Sequence, residues 1–86
     1  MSYQVVVTPA PEKFLGRLRD ESLKRRLTKA LRALENDPRP PGCVKLQGGN
    51  ELYRVRVGDY RIVYQIEDMV LIVLVLEIGH RREIYR

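Results

Sequence analysis

Residues 52–86 read LYRVRVGDYRIVYQIEDMVLIVLVLEIGHRREIYR, and this stretch decides the architecture. Gly58-Asp59 lies between two β-rich runs and suits a two-residue hairpin turn with glycine first. Such a turn sets Val57 opposite Tyr60, Val55 opposite Ile62 and Tyr53 opposite Tyr64, an apolar and aromatic face that predicts packing on helices. The other face carries Leu52, Arg54, Arg56, Arg61, Val63 and Gln65, with Arg56 directly across from Arg61. A four-residue turn keeps this pairing, whereas an odd-length turn shifts it. Like charges directly opposed, with Cβ atoms about 4.5–5.5 Å apart, destabilise a sheet. The arginines therefore point to an anionic partner. Glu67-Asp68 begins the next turn, and residues 70–78, apolar on both faces, predict an interior strand. Gly79 is expected to break that strand, and residues 80–86 to form a short return.

Upstream, residues 3–7 alternate and predict a first strand. Thr8 followed by Pro9 reads as an N-cap with proline at the first helical position, and Glu12 adds favourable charge to the first turn. Phe14, Leu15 and Leu18 form the inward face of this short helix, which ends near Arg19. A second helix follows, with Leu23, Leu27, Ala30, Leu31 and Leu34 in one continuous stripe. Its other face carries Lys24, Arg25, Lys29 and Arg32, which read either as a solvated surface or as a docking face for a large polyanion such as the ribosome. Asn36-Asp37-Pro38 ends it, and Pro40-Pro41-Gly42 keeps the connection to Cys43 irregular. The expected fold is α+β: a two-layer β-α-α-β-β-β(-β) sandwich, with two helices packed on one face of an antiparallel-rich sheet.

The 86 residues predict a single domain spanning 1–86, with 44% hydrophobic and 31% charged residues, a globular balance. Sixteen Lys and Arg against eleven Asp and Glu give a net charge of +5, which permits nucleic acid or an acidic protein as partner. One Cys and one His are too few for an internal disulfide or a structural zinc site, and no cofactor is expected. The N-terminal residues lack a signal-peptide pattern, and the longest apolar run is too short to span a bilayer as a helix. A cytoplasmic protein without membrane contact is expected.

The order of elements, with YRVRVGDYRIVYQI at residues 53–66 and EIGHRREIYR at 77–86, closely resembles the RelE/ParE superfamily of small bacterial and archaeal toxins, its RelE-like branch in particular. The resemblance covers essentially the full length. It implies the toxin half of a type II toxin–antitoxin module, bound by a cognate acidic antitoxin in a hetero-oligomer. RelE-like members cleave mRNA in the ribosomal A site; ParE-like members poison DNA gyrase on the same fold, so the fold leaves the activity open. A non-enzymatic RNA- or protein-binding module of this fold is a further alternative.

Carried over residue by residue, the resemblance implies Arg61, Arg81 and Tyr85 as catalytic groups. Arg54, Arg56, His80 and Arg82 would bind substrate, and no metal is used. The best-known bacterial members have lysines where this chain has Arg54 and Arg56. Arginine holds its proton at any ordinary pH and is a poor general base. Tyr85 is then the expected titrating group, with His80 as competitor. Tyr53, Tyr60 and Tyr64 are assigned to the core. Placing Arg61 on the polar face predicts that Arg61→Ala leaves the fold intact.

Overall fold

The computed structural model describes residues 2–48, 51–80 and 82. Strand β1 (Gln4–Val7) leads into helices α1 (Pro9–Arg17) and α2 (Glu21–Asn36). Strands β2 (Val44–Lys45), β3 (Leu52–Val57), β4 (Tyr60–Glu67) and β5 (Ile72–His80) follow. They form one five-stranded sheet in the order β1-β5-β4-β3-β2. β1 runs parallel to β5, and every other pairing is antiparallel. The α+β sandwich expected from the sequence is the observed architecture.

The leucine stripe of α2 explains why the layers adhere. Leu23, Leu27, Leu31 and Leu34 are all buried, against Tyr53, Val55, Ile62, Tyr64, Ile66, Val73, Val75 and Ile78 of the sheet. Asp20 caps α2 by accepting the Leu23 N–H at 3.1 Å, satisfying one of the helix's orphan donors. α1 begins where Thr8 and Pro9 predict, but Thr8 does not cap it with its side chain. Instead Thr8 Oγ1 donates to the Val75 carbonyl at 2.7 Å, tying the start of the helix to β5.

The segment after Cys43 adds a short strand, β2, that no expectation covered; its two residues pair with Arg54 and Tyr53, and two residues are too few to show an alternation. Two expectations need correction. β5 starts at Ile72 rather than at 70, because the chain reverses through a turn in which Leu71 adopts a left-handed φ of 55°. Gly79 does not break β5; it pairs with Arg61, and the strand continues to His80. The final return is an expectation that, except for His80 and Arg82, lies outside the described residues.

At the far end of the sheet a polar cluster ties the loop after α2 to the β4–β5 turn. Arg39 pairs with Asp68 at 2.8 Å and with Glu51 at 3.5 Å, and its guanidinium lies 5.2 Å from the centre of the Tyr53 ring. Tyr3 donates its hydroxyl to Asp68 at 2.6 Å. Hydrogen bonds from Arg39 and then Tyr3 hold the Asp68 carboxyl below its ordinary pKa. A depressed carboxylate stabilises the fold above its unfolded pKa, and that contribution disappears as pH falls through the folded value. Asp68→Asn is therefore expected to lower the melting temperature near neutral pH and to flatten its decline between about pH 5 and 2. Parallel acid limbs in thermal melts of variant and wild type would show that the pair does not couple to folding.

Candidate RNA-binding face

The hairpin has the predicted geometry. Gly58 has a φ of 61° and Asp59 has no positive φ, as a turn with glycine in its first central position requires. The Arg26 side chain of α2 packs over the turn, its Nη2 2.8 Å from where a Cβ at Gly58 would stand, a contact its flexible end can relieve, so the positive φ is what calls for glycine. The two-residue turn sets the register Arg54↔Val63, Val55↔Ile62 and Arg56↔Arg61. Tyr53, Val55, Ile62 and Tyr64 turn toward the helices and are buried. Arg54, Arg56 and Arg61 consequently share the opposite face.

Burial differs sharply among these three. Arg56 is exposed and Arg54 half-buried, whereas Arg61 is only 4% exposed, the one buried charged side chain among the described residues. Its neighbour on β5 is Gly79, so no β5 side chain stands directly beside it on this face. A buried guanidinium keeps its charge and its planar fork of donors while losing rotational freedom. The placement departs from the exposed setting inferred from strand alternation alone.

A bulge in β5 decides what else joins the arginines. Val63 pairs with Glu77, but the next residue, Tyr64, pairs with Val75, which leaves Leu76 as the extra residue. A bulge inverts the alternation beyond it. Val73 and Val75 face the helices before the bulge, and Ile78 does so after it. Glu77 therefore lies on the arginine face and His80 on the helix side, paired with Tyr60. The His80 ring meets Tyr60 edge-on at 5.4 Å, and Tyr60 in turn contacts Phe14 of α1 at 5.9 Å. Nδ1 of His80 accepts the backbone N–H of Arg82 at 3.2 Å. Arg82 is exposed. The structure thus brings Arg54, Arg56 and Arg61 together and directs the His80 ring away from them. Arg81 and Tyr85 lie outside the described residues.

The other tyrosines of the hairpin are spoken for. Tyr64 is fully buried and donates its hydroxyl to the Pro38 carbonyl at 2.8 Å. Burial, and then the neighbouring Cys43, raise its pKa above the ordinary phenol value, so it remains protonated. Tyr53 donates to Glu51 at 2.9 Å. Sequence reasoning missed a groove of about 530 Å³ at the open edge of β3, between Ala30 and Ala33 of α2, the Pro40-Pro41 segment and the edge carrying Arg54 and Arg56. β2 begins opposite Arg54, and only the tertiary arrangement of α2 and the proline segment around that edge creates the groove. Among the described residues no cluster of three or more His, Cys, Asp or Glu side chains could hold a metal ion. No helix there is long and apolar enough to cross a membrane.

Residues 5–85 match the family model of the ParE toxin of type II toxin–antitoxin systems, parDE. The chain is a toxin of the RelE/ParE superfamily. In fold it is similar to RelE in the archaeal RelE–RelB complex from Pyrococcus horikoshii OT3, with a TM-score of 0.81 and 30% identity over 94% of this chain and 97% of that one. Similarity to the intact E. coli RelBE toxin–antitoxin complex gives a TM-score of 0.79 and 26% identity over 92% and 96% of the two chains. The YoeB/ParE toxin from Agrobacterium tumefaciens shares the fold, with a TM-score of 0.77 over 90% and 96% of the two chains, at 16% identity. Comparison with curated proteins gives no sequence match. The toxin's fold is thus common to relatives bearing RelE, YoeB and ParE names, and its activity has to be argued from the arginine face.

Proposed function

We propose that this toxin is a ribosome-dependent mRNA endonuclease that cleaves in the A site and so inhibits translation. The observation that carries this reading is the register of the hairpin, which sets Arg56 directly opposite Arg61 with Arg54 on the same face. Planar guanidinium groups gathered on one sheet face match the oxygens of an RNA phosphodiester, which each can grip in pairs.

In the proposed reaction the ribose 2′-oxygen attacks the adjacent phosphorus. The 2′-O–P bond forms and the P–O5′ bond breaks, leaving a 2′,3′-cyclic phosphate and a 5′-hydroxyl. A base takes the 2′-hydroxyl proton, and the departing 5′-oxygen acquires one. Arg61 and Arg81 stabilise the charge that develops on the phosphorane oxygens. Arg54, Arg56 and Arg82 hold the RNA backbone. Tyr85 is assigned the proton transfer on the family resemblance, because cationic groups beside a phenol favour its phenolate. His80, whose ring lies against Tyr60, is left a local hydrogen-bonding role. As in the P. horikoshii and E. coli complexes, in which the toxin is bound by RelB, the toxin would be held by an antitoxin. An acidic one suits the net charge of +5.

The family model that matches residues 5–85 is that of ParE, which favours inhibition of DNA gyrase as the second reading. Induction of the toxin without an antitoxin separates the two. The expected result is a rapid fall in labelled-methionine incorporation, with new mRNA 5′-hydroxyl ends mapping inside A-site codons. Normal incorporation with collapsing plasmid supercoiling would replace the nuclease with a gyrase inhibitor.

A further inference from the structure

The bulge in β5 sets a carboxylate, Glu77, beside the arginines of the sheet face. Val73 and Val75 face the helices, so strict alternation would turn residue 77 the same way. The extra residue Leu76 turns it over instead, and bulges next to active sites commonly re-aim a side chain in this manner. Two rows of residues then run across the arginine face. Arg56, Arg61 and Gly79 form one, and Arg54, Val63 and Glu77 form the next. Glu77 is exposed, and among the described residues its carboxylate makes no ion pair or hydrogen bond. Glu67, also on this side of β4, lies at the far end of the strand and is held by Gln65.

A face that binds RNA gains nothing from a carboxylate turned toward phosphates, since like charges repel. We infer that Glu77 reads a base, selecting a guanine of the message by accepting hydrogen bonds from its N1–H and its N2 amine. The inference rests on the nuclease reading and adds a specificity-determining residue to it.

The chemistry of the bases makes this selection. A carboxylate accepts hydrogen bonds through two oxygens and donates none. In single-stranded RNA the Watson–Crick edges are open to side chains. Guanine carries two adjacent donors on that edge. Adenine and cytosine carry an amine next to an acceptor, and uracil one N–H between two carbonyls, so each of these sets an acceptor against the carboxylate. The row of residues favours the same base. Neighbouring strands lie about 4.8 Å apart, which puts the backbones of Arg54 and Glu77 about 10 Å from each other across half-buried Val63. A base lying over Val63 meets a guanidinium at one edge and a carboxylate at the other. Guanine fits both, because its O6 and N7 accept from an arginine in pairs. Arg54 has five N–H donors and can hold the backbone as well. Arg56 and Arg61 form the adjoining row, where the phosphate beside that guanine is held.

The test uses 70S ribosomes programmed with A-site codons in which guanine, at each position in turn, is replaced by adenine or by inosine, which lacks only the N2 amine. At one position wild-type toxin is expected to cleave the guanine codon about 10–100-fold faster than the adenine codon, the usual worth of a bidentate pair. Inosine there should fall between them. Glu77→Ala, a change at an exposed position, should keep the wild-type melting temperature and level all three rates. Glu77→Gln can accept from N1–H and donate to O6, so it should cleave guanine and inosine codons alike. A guanine preference that survives in Glu77→Ala would overturn the inference, as would wild-type cleavage that ignores guanine at every position. So would Glu77→Ala cleaving all codons faster by one common factor, since the carboxylate would then only repel RNA. Wild-type toxin that cleaves no codon at all would sink the nuclease reading and this inference with it.

Discussion

Arg61→Ala is expected to lower single-turnover cleavage of ribosome-bound mRNA by about 10²–10³-fold, the usual worth of one preorganised donor facing developing charge. The same substitution should also destabilise the toxin, contrary to what strand alternation alone implies. Removing one of two opposed like charges returns only a few tenths of a kcal/mol. Against that, the 4% exposure of Arg61 means that its stem is packed, and deleting its methylenes forfeits about 0.8 kcal/mol for each buried CH₂. The loss wins by a kcal/mol or more, which in a domain of this size lowers the melting temperature by roughly 4–8 °C per kcal/mol. Arg56→Ala removes the opposite partner from an exposed position and should leave the melting temperature unchanged or slightly raised. Thermal melts of the two variants check the contrast directly. If Arg61→Ala melted like wild type, its burial would carry no packing energy. If Arg61→Lys cleaved like wild type, a point charge would suffice and the guanidinium fork would have no special role.

Tyr85→Phe is expected to cost on the order of 10²–10⁴-fold in the same assay, because it deletes the acid–base group and keeps the ring. His80→Gln should cost far less. The His80 ring lies on the helix side of the sheet against Tyr60, while the arginines occupy the other face. Programmed ribosomes, excess toxin and a quenched time course at several pH values give both numbers. A crippled His80→Gln beside a near-normal Tyr85→Phe would assign the proton to the histidine and leave the tyrosine as a platform on which a base stacks.

Much of this molecule is written locally. The leucine spacing of α2 predicts its buried face, since helical periodicity alone determines which side chains align. Gly58 and the alternation around it predict the register that opposes Arg56 to Arg61, because a turn of even length leaves no freedom in the pairing. Two segments were less legible. β2 has only two residues and becomes a strand by pairing with β3. The groove beside Arg54 and Arg56 depends on how α2 and the prolines are placed around an edge.

Sequence by itself therefore determined the two-layer fold, the buried stripe of α2 and the gathering of Arg54, Arg56 and Arg61 on one sheet face. These follow from periodicity and turn length, which act between near neighbours in the chain. Tertiary structure alone decided that β1 lies parallel beside β5, that Arg61 is buried, and that His80 points to the helices. The last depends on the single extra residue, Leu76, in β5. Residues 72–78 are apolar on both faces except at Glu77, so their pattern cannot show where the alternation inverts. Only pairing with β4, and the packing of Val73, Val75 and Ile78 against the helices, place the bulge and with it the side on which each later residue falls.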